Sequence, residues 1–160
     1  MDLSVFITKQ GMEKLQKRIS HLMNNERPEV IKQIAIAREF GDLSENAEYK
    51  AGKERQRAID SEIDYLRRRS AALKVVDTEN FPNDVLRFGS YCLAEDVSNG
   101  EQICYQVVGA EELNFTHEEG IQAVSVVSPI GNALLGKKVG QIAVVKAPMG
   151  ERHLKILEIR

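Results

Sequence analysis

Two stretches of seven-residue hydrophobic rhythm, parted by one short polar break, constrain this chain more than any other feature. In the first stretch Met12, Leu15, Ile19 and Leu22 recur at alternating spacings, and Ile31, Ile34 and Ala37 resume the rhythm beyond Pro28. Ile59, Ile63, Leu66 and Leu73 repeat it in the second. Spacings that alternate between three and four put every apolar side chain on one stripe, the seam of a coiled coil. Two such stretches joined by a few residues fold back on each other. Residues 1–76 are therefore expected to form an antiparallel coiled-coil hairpin, about 45 Å long for thirty residues at roughly 1.5 Å each.

Local signals place the helix ends. Thr8 is a fit N-cap for the first helix. Pro28 lacks an N–H and clashes with the preceding turn, so the helix kinks there or restarts with Pro28 in its first turn. Gly41 suits the helix C-terminus. Asp42 and Glu45, three apart, read as a capping box for the second helix, with Ser44 a competing N-cap. The second seam also holds Gln56 and Ser70 and thins to Tyr49 and Ala51 near the break.

Beyond residue 76 the period changes. Residues 77–84, rich in Asn and Pro, break both rhythms and read as a linker. Val85–Val97 and Gln102–Val108 are strand-like and flank a turn at Ser98-Asn99-Gly100. Ile121–Val127 reads as a buried strand, and Ile142–Lys146 and His153–Ile159 as the last two, joined through Pro148-Met149-Gly150. Between them Ser128 as N-cap, Pro129 in the first turn and Gly136 past the end mark one short helix. Residues 85–160 are expected to form a small antiparallel sheet with one short helix, which makes the fold class α+β.

Charge divides the same way. Residues 1–75 hold 15 Lys and Arg against 12 Asp and Glu, and residues 76–160 hold 7 against 12. A mildly basic half joined to an acidic half suggests two units with different partners, and neither charge demands a general nucleic-acid binder. Cys92 and Cys104 have no metal-ligand spacing and read as reduced, partly buried thiols, about equally far from the Asn99-Gly100 turn and so near each other. His21, His117 and His153 are scattered. No secretory leader and no membrane-length apolar run stands out, so a cytoplasmic protein with no membrane partner is expected.

The break itself carries the chemistry. Gly41-Asp42-Leu43-Ser44-Glu45-Asn46-Ala47-Glu48-Tyr49 gathers three carboxylates at the tip of the hairpin. Acidic residues in a first helical turn stabilise it against the dipole with no function at all. A carboxylate pair also suits Mg²⁺, which takes hard oxygen ligands and is often held by one or two carboxylates plus phosphate. A thin hairpin has no water-excluding pocket, so it cannot catalyse alone. The chemical reading is donation of metal ligands into another protein's active site, and both readings stand at this point.

The run from Ala37 to Tyr49 resembles the hairpin tip of the Gre transcript-cleavage factors of bacteria, with wording nearer the GreA branch than the GreB branch. Arg27-Pro28-Glu29 matches as well, and so does Ser128-Pro129-Ile130-Gly131-Asn132-Ala133-Leu134-Leu135-Gly136-Lys137. The resemblance runs almost end to end. It implies a coiled coil followed by a domain folded like FK506-binding proteins, which docks at the rim of the RNA polymerase secondary channel while the coiled coil enters the channel. It implies that two tip acids, Asp42 and Glu45 here, are the catalytic and metal-holding pair. They help hold a Mg²⁺ ion shared with the polymerase active site and not expected to bind stably to the free protein. Backtracked nascent RNA is then cut near its 3′ end. Glu48 is expected to support the tip, and Tyr49 either braces it or simply packs between the helices.

The resemblance further implies a basic patch facing the RNA 3′ end, which falls on Lys50, Lys53 and Arg57; a solvated face with pairs such as Glu54 and Arg57 is the plain alternative. Arg55 points away from that stripe, and Arg67-Arg68-Arg69 lies far from the tip. Ser128 and Pro129 are the expected polymerase-docking residues, with Val127 apolar where some Gre factors are polar. The protein is thus expected to be no enzyme itself and to take no small-molecule substrate. A Gre-like channel inhibitor is the alternative. A prolyl isomerase would need more aromatics in residues 76–160, and a coiled-coil chaperone would need an apolar tip.

Overall fold

The computed structural model describes residues 3–41, 46–78, 82–114 and 118–160. The described chain opens with a 3-10 turn, Leu3–Val5, and a short strand β1, Phe6–Thr8. Thr8 then caps α1, Lys9–His21, its hydroxyl accepting the Gly11 N–H at 3.0 Å. α1 passes into a π-helical turn, Leu22–Glu26, and on into α2, Arg27–Arg38. Pro28 accounts for that turn. It can give no hydrogen bond to the preceding turn and its ring crowds the carbonyl four residues back. A turn whose bonds span five residues, as Arg27 N–H to Leu22 O does here, absorbs the misfit without ending the helix.

The π turn also moves the seam. Leu15, Ile19 and Leu22 are buried as the rhythm requires, but the next buried residue is Val30, followed by Ile34 and Ala37. Ile31, expected in the seam, is 41% exposed. One extra residue in the turn advances the stripe by one position.

Helix α3, Ala47–Ala72, carries 26 residues and so about 39 Å of length. Ile59, Ile63 and Leu66 face the seam as expected. Nearer its start the contact residue is Gly52, not Ala51, which is exposed. A Cβ on Gly52 would stand 2.8 Å from Ile34 Cγ1, so glycine lets α2 and α3 close together there. Arg18 ties three segments: it donates to both Glu62 oxygens at 3.1 and 3.2 Å and to Glu26 at 2.9 Å. The Glu62 hydrogen bonds are the largest cause of its raised pKa. Arg27 pairs with Asp60 at 2.7 Å. No described helix is long and apolar enough to cross a membrane.

The second part is the expected α+β unit with one α-helix. After β2, Lys74–Val76, come β3, Tyr91–Asp96, β4, Gln102–Val108, and β5, Ile121–Ser125. Helix α4, Pro129–Leu134, and strands β6, Ile142–Ala147, and β7, Gly150–Ile159, complete it. The sheet order is β5-β4-β3-β7-β6. All pairs are antiparallel except β4–β5, which is parallel, a correction to the wholly antiparallel sheet expected. The cause is the connection: residues 109–120, with a 3-10 helix at Ala110–Asn114, are long enough to cross over rather than turn back. β3 begins at Tyr91 rather than Val85, because Ser90 N–H bonds back to Arg87 O and turns the preceding chain. α4 closes one face over Leu86, Phe88, Tyr105, Val107, Val145 and Ile156.

Two three-residue strands escaped the sequence reading. β1 and β2 pair in parallel, Phe6 beside Lys74 and Thr8 beside Val76. The chain up to Met12 therefore belongs with Leu73–Arg160 in one compact unit, and Glu13–Ala72 forms the other. The divisions drawn from sequence, at residues 76 and 84, rest on periodicity and do not coincide with these. Periodicity does not register the β1–β2 ladder or the buried Glu112, whose carboxylate accepts from Thr8 N–H at 3.2 Å, from the Thr8 hydroxyl and from Gly109 N–H at 2.7 Å.

Candidate functional site

The end of α2 and the start of α3 frame the tip. α2 closes at Arg38, Phe40 N–H bonds to Ala37 O at 3.2 Å, and Gly41 follows with φ +111°, a conformation that favours glycine. On the other side α3 begins at Ala47. Its cap is Asn46, whose Oδ1 accepts the Tyr49 N–H at 3.0 Å. The capping box expected of Asp42 and Glu45, with Ser44 as its competitor, falls on residues outside those described; within them Asn46 is the cap. The second half of the Asn46 side chain is used as well, Nδ2 donating to Ala37 O at 2.7 Å. Beside it the Arg38 guanidinium lies over the Tyr49 ring, 5.6 Å from its centroid. Tyr49 thus makes a contact between the two helices. Asp42, Leu43, Ser44 and Glu45 lie outside the described residues, and with them the metal-holding pair read from the sequence.

Glu48 stands exposed in the first turn of α3. It lines an open cleft of about 380 Å³ with Gln33, Ile36, Ala51, Gly52 and Arg55. Arg55, set aside because it points away from the basic stripe, lies on this cleft side with Glu48. Phe40 is 73% exposed, the most exposed aromatic among the described residues named here. Among the described residues no group of three or more His, Cys, Asp or Glu could hold a metal ion.

Lys50, Lys53 and Arg57 share one face of α3, since steps of three and four return to the same side of a helix. Among the described residues no ion pair engages them, and the pairing of Glu54 with Arg57 is not formed. Farther along, Arg68 pairs with Asp64 at 3.1 Å and Arg67 donates to Met23 Sδ at 3.4 Å, which gives that cluster a structural occupation.

In the sheet unit Ser128 is wholly engaged. Its hydroxyl donates to Ser125 O at 2.6 Å and accepts the Gly131 N–H at 3.1 Å. Gly131 is required because a Cβ there would overlap the Ser125 carbonyl. Ile130, Leu134 and Leu135 pack on the core. The outward residues are Val127 and Pro129 on either side of Ser128. Ser128 therefore builds the ridge, and its neighbours present it.

Comparison with known proteins decides the family. The model described as "Transcription elongation factor, N-terminal" matches residues 5–75, and "Transcription elongation factor, GreA/GreB, C-term" matches residues 81–160. The chain belongs to the GreA/GreB transcription elongation factor family. Transcription elongation factor GreA of Syntrophobacter fumaroxidans is 40% identical across 96% of this chain and 96% of its own. That of Pelobacter propionicus is 39% identical across 100% and 99%. A solved structure, GreA factor homolog 1 of Thermus thermophilus, is 28% identical over 98% of this chain and 99% of its own, with a TM-score of 0.41, too low to argue from.

Within this GreA/GreB chain, the residue the sequence reading missed is Asn46. It lies inside the quoted motif and is a good N-cap type, but Asp42 and Ser44 are good caps too, and nothing local ranks them. Arg38 was missed for another reason: its partner Tyr49 is on the opposite helix.

Proposed function

We propose that this chain stimulates cleavage of backtracked nascent RNA by RNA polymerase, lending the carboxylates of Asp42 and Glu45 to a Mg²⁺ position in the polymerase active site. The observation that carries the reading is the cap at Asn46. Two acids near a helix start need no function when they serve as its cap. Here Asn46 fills that post, and both acids precede it in the chain. Their oxygens are hard donors of the kind Mg²⁺ takes. When bound, such an ion steadies charge on phosphoryl oxygens and lowers the pKa of a water.

The remaining residues bind and orient. Glu48 and Tyr49 support the tip. Lys50, Lys53 and Arg57, engaged by no ion pair among the described residues, form a basic face that attracts phosphates of the RNA 3′ end. The ridge of Val127 and Pro129, built on Ser128, is the docking surface at the rim of the secondary channel. The chemistry belongs to the polymerase, because a thin two-helix hairpin offers little means of excluding water from a reaction. GreA-named relatives being elongation factors supports this assignment.

The test uses purified polymerase stalled on a backtracked template with Mg²⁺. Adding the protein releases short 3′ RNA fragments. Asp42→Ala and Glu45→Ala each slow release by roughly a hundredfold while polymerase affinity stays unchanged. Full release by the double alanine variant refutes metal donation. Binding without release, coupled to slowed elongation, assigns the protein to the channel-inhibitor alternative instead. Lys53→Glu weakens release, and unchanged release removes the basic face from the account.

A further inference from the structure

We infer that the open cleft between α2 and α3 is a surface on which two copies of this chain pair, antiparallel, with Glu48 of each against Arg55 of the other. The inference is independent of the function proposed above. It is carried by the symmetry of the cleft. On α3 its wall runs Glu48, Ala51, Gly52 and Arg55. Steps of three and four keep these residues on one side of a helix. Glu48 and Arg55 stand about 10.5 Å apart along the axis, at roughly 1.5 Å per residue. Their midpoint falls between Ala51 and Gly52, where no side chain larger than a methyl group stands in the way. A second α3 laid antiparallel over that midpoint brings acid against base at both ends. Glu48 and Arg55 are exposed, and among the described residues neither carries an ion pair.

The opposite wall supplies the apolar part. Gln33 and Ile36 line it, and Phe40 follows four residues beyond Ile36. Ile36 is 47% exposed and Phe40 more so, an uncovered apolar pair on a thin hairpin. Neighbouring apolar side chains left in water mark a surface that another molecule covers. The packing of the two helices also fixes their relative level. A Cβ on Gly52 would meet Ile34, so the midpoint of the α3 wall lies level with the Ile34–Ile36 stretch of α2. A two-fold axis crossing the hairpin there sets Ile36 close to its own counterpart, as a self-complementary interface does with a residue near its axis. An unrelated partner would have to offer a base and an acid at the same separation, flanking an apolar side chain. A second copy already carries all three at the required spacing.

The experiment is sedimentation equilibrium of the full chain over a concentration series, at low and high salt. The parent is expected to show a monomer–dimer equilibrium that weakens with salt, because salt screens exposed ion pairs. Arg55→Glu and Glu48→Arg each raise the dissociation constant by roughly tenfold, since symmetry breaks two pairs at once. Mixed one to one, the two variants associate again at about the parent's strength, because the mixed pair sets every acid against a base. Ile36→Glu brings two carboxylates together near the axis and leaves only monomer, with helical circular dichroism like the parent's. Should that variant unfold, Arg55→Glu and the mixture, altered only at exposed positions, still decide the matter. A parent that stays monomeric throughout overturns the inference, and so does a mixture no tighter than either variant alone. Affinity of Ile36→Glu for purified polymerase is measured alongside. A monomeric parent whose polymerase affinity falls with this substitution gives the cleft to a segment of the polymerase instead, which also overturns the pairing.

Discussion

Glu112, 2% exposed, accepts from two backbone amides and one hydroxyl with its two oxygens. Leaving such donors buried without an acceptor costs more than the bonds themselves contribute. Glu112→Ala is expected to destabilise the sheet unit by about 3 kcal/mol in urea unfolding. Glu112→Gln keeps one acceptor oxygen and presents an amide to the other donors, so its cost falls between the parent and alanine. Equal stabilities for all three proteins contradict that account. The cysteines show a different single-residue lesson. Cys92 pairs with Tyr105 and Cys104 with Leu93 across the β3–β4 ladder. Adjacent positions in the register point to opposite faces of a sheet. The two thiols are thus near in the chain's pairing yet turned apart, Cys92 buried and Cys104 half-exposed.

Elements were legible in proportion to how local their causes are. The seam residues Leu15, Ile19, Leu22, Ile59, Ile63 and Leu66 follow from spacing alone, and all are buried. The helix at Ser128-Pro129 was legible because cap, first-turn proline and closing glycine are adjacent in sequence. The shift from Ile31 to Val30 was not, because spacing says that Pro28 disturbs a helix and is silent on whether the chain breaks or takes a π turn. The difference is measurable. Val30→Ala empties a fully buried position in the seam and is expected to cost the hairpin about 2 kcal/mol. Ile31→Ala removes an exposed side chain and changes stability by less than about 0.5 kcal/mol. Thermal melts of the two variants followed by helical circular dichroism separate the registers, and a reversed order returns Ile31 to the seam.

At the scale of the whole chain, the α+β class and the tip motif were readable, but the strand order, the parallel β4–β5 pair and the β1–β2 ladder join residues far apart in sequence, where no periodicity reports them. One consequence of that non-local packing is a pH dependence. Folding buries Cys92 on the inward face of β3, and burial pushes its thiol pKa up to about 11 from the usual 9.0. Burial, then the hydrogen bond to Glu118 at 3.1 Å, raises the Tyr91 phenol as well. For groups raised in the folded state, the stabilisation is complete below the unfolded pKa and is lost as pH rises through the folded one. Between pH 9 and 11 the unfolded chain sheds a Cys92 proton that the folded chain keeps, so stability falls across that window. One pKa unit corresponds to about 1.4 kcal/mol, and a shift of this size gives a loss on the order of 2 kcal/mol. Urea unfolding followed by methyl NMR of Val107, Leu154 and Ile156, measured at steps from pH 8 to 11, reads it directly. Cys92→Ala lowers stability at every pH by removing a buried side chain, but it flattens the slope between pH 9 and 10, leaving the later decline to Tyr91. A slope unchanged by Cys92→Ala would place the alkaline loss elsewhere in the molecule.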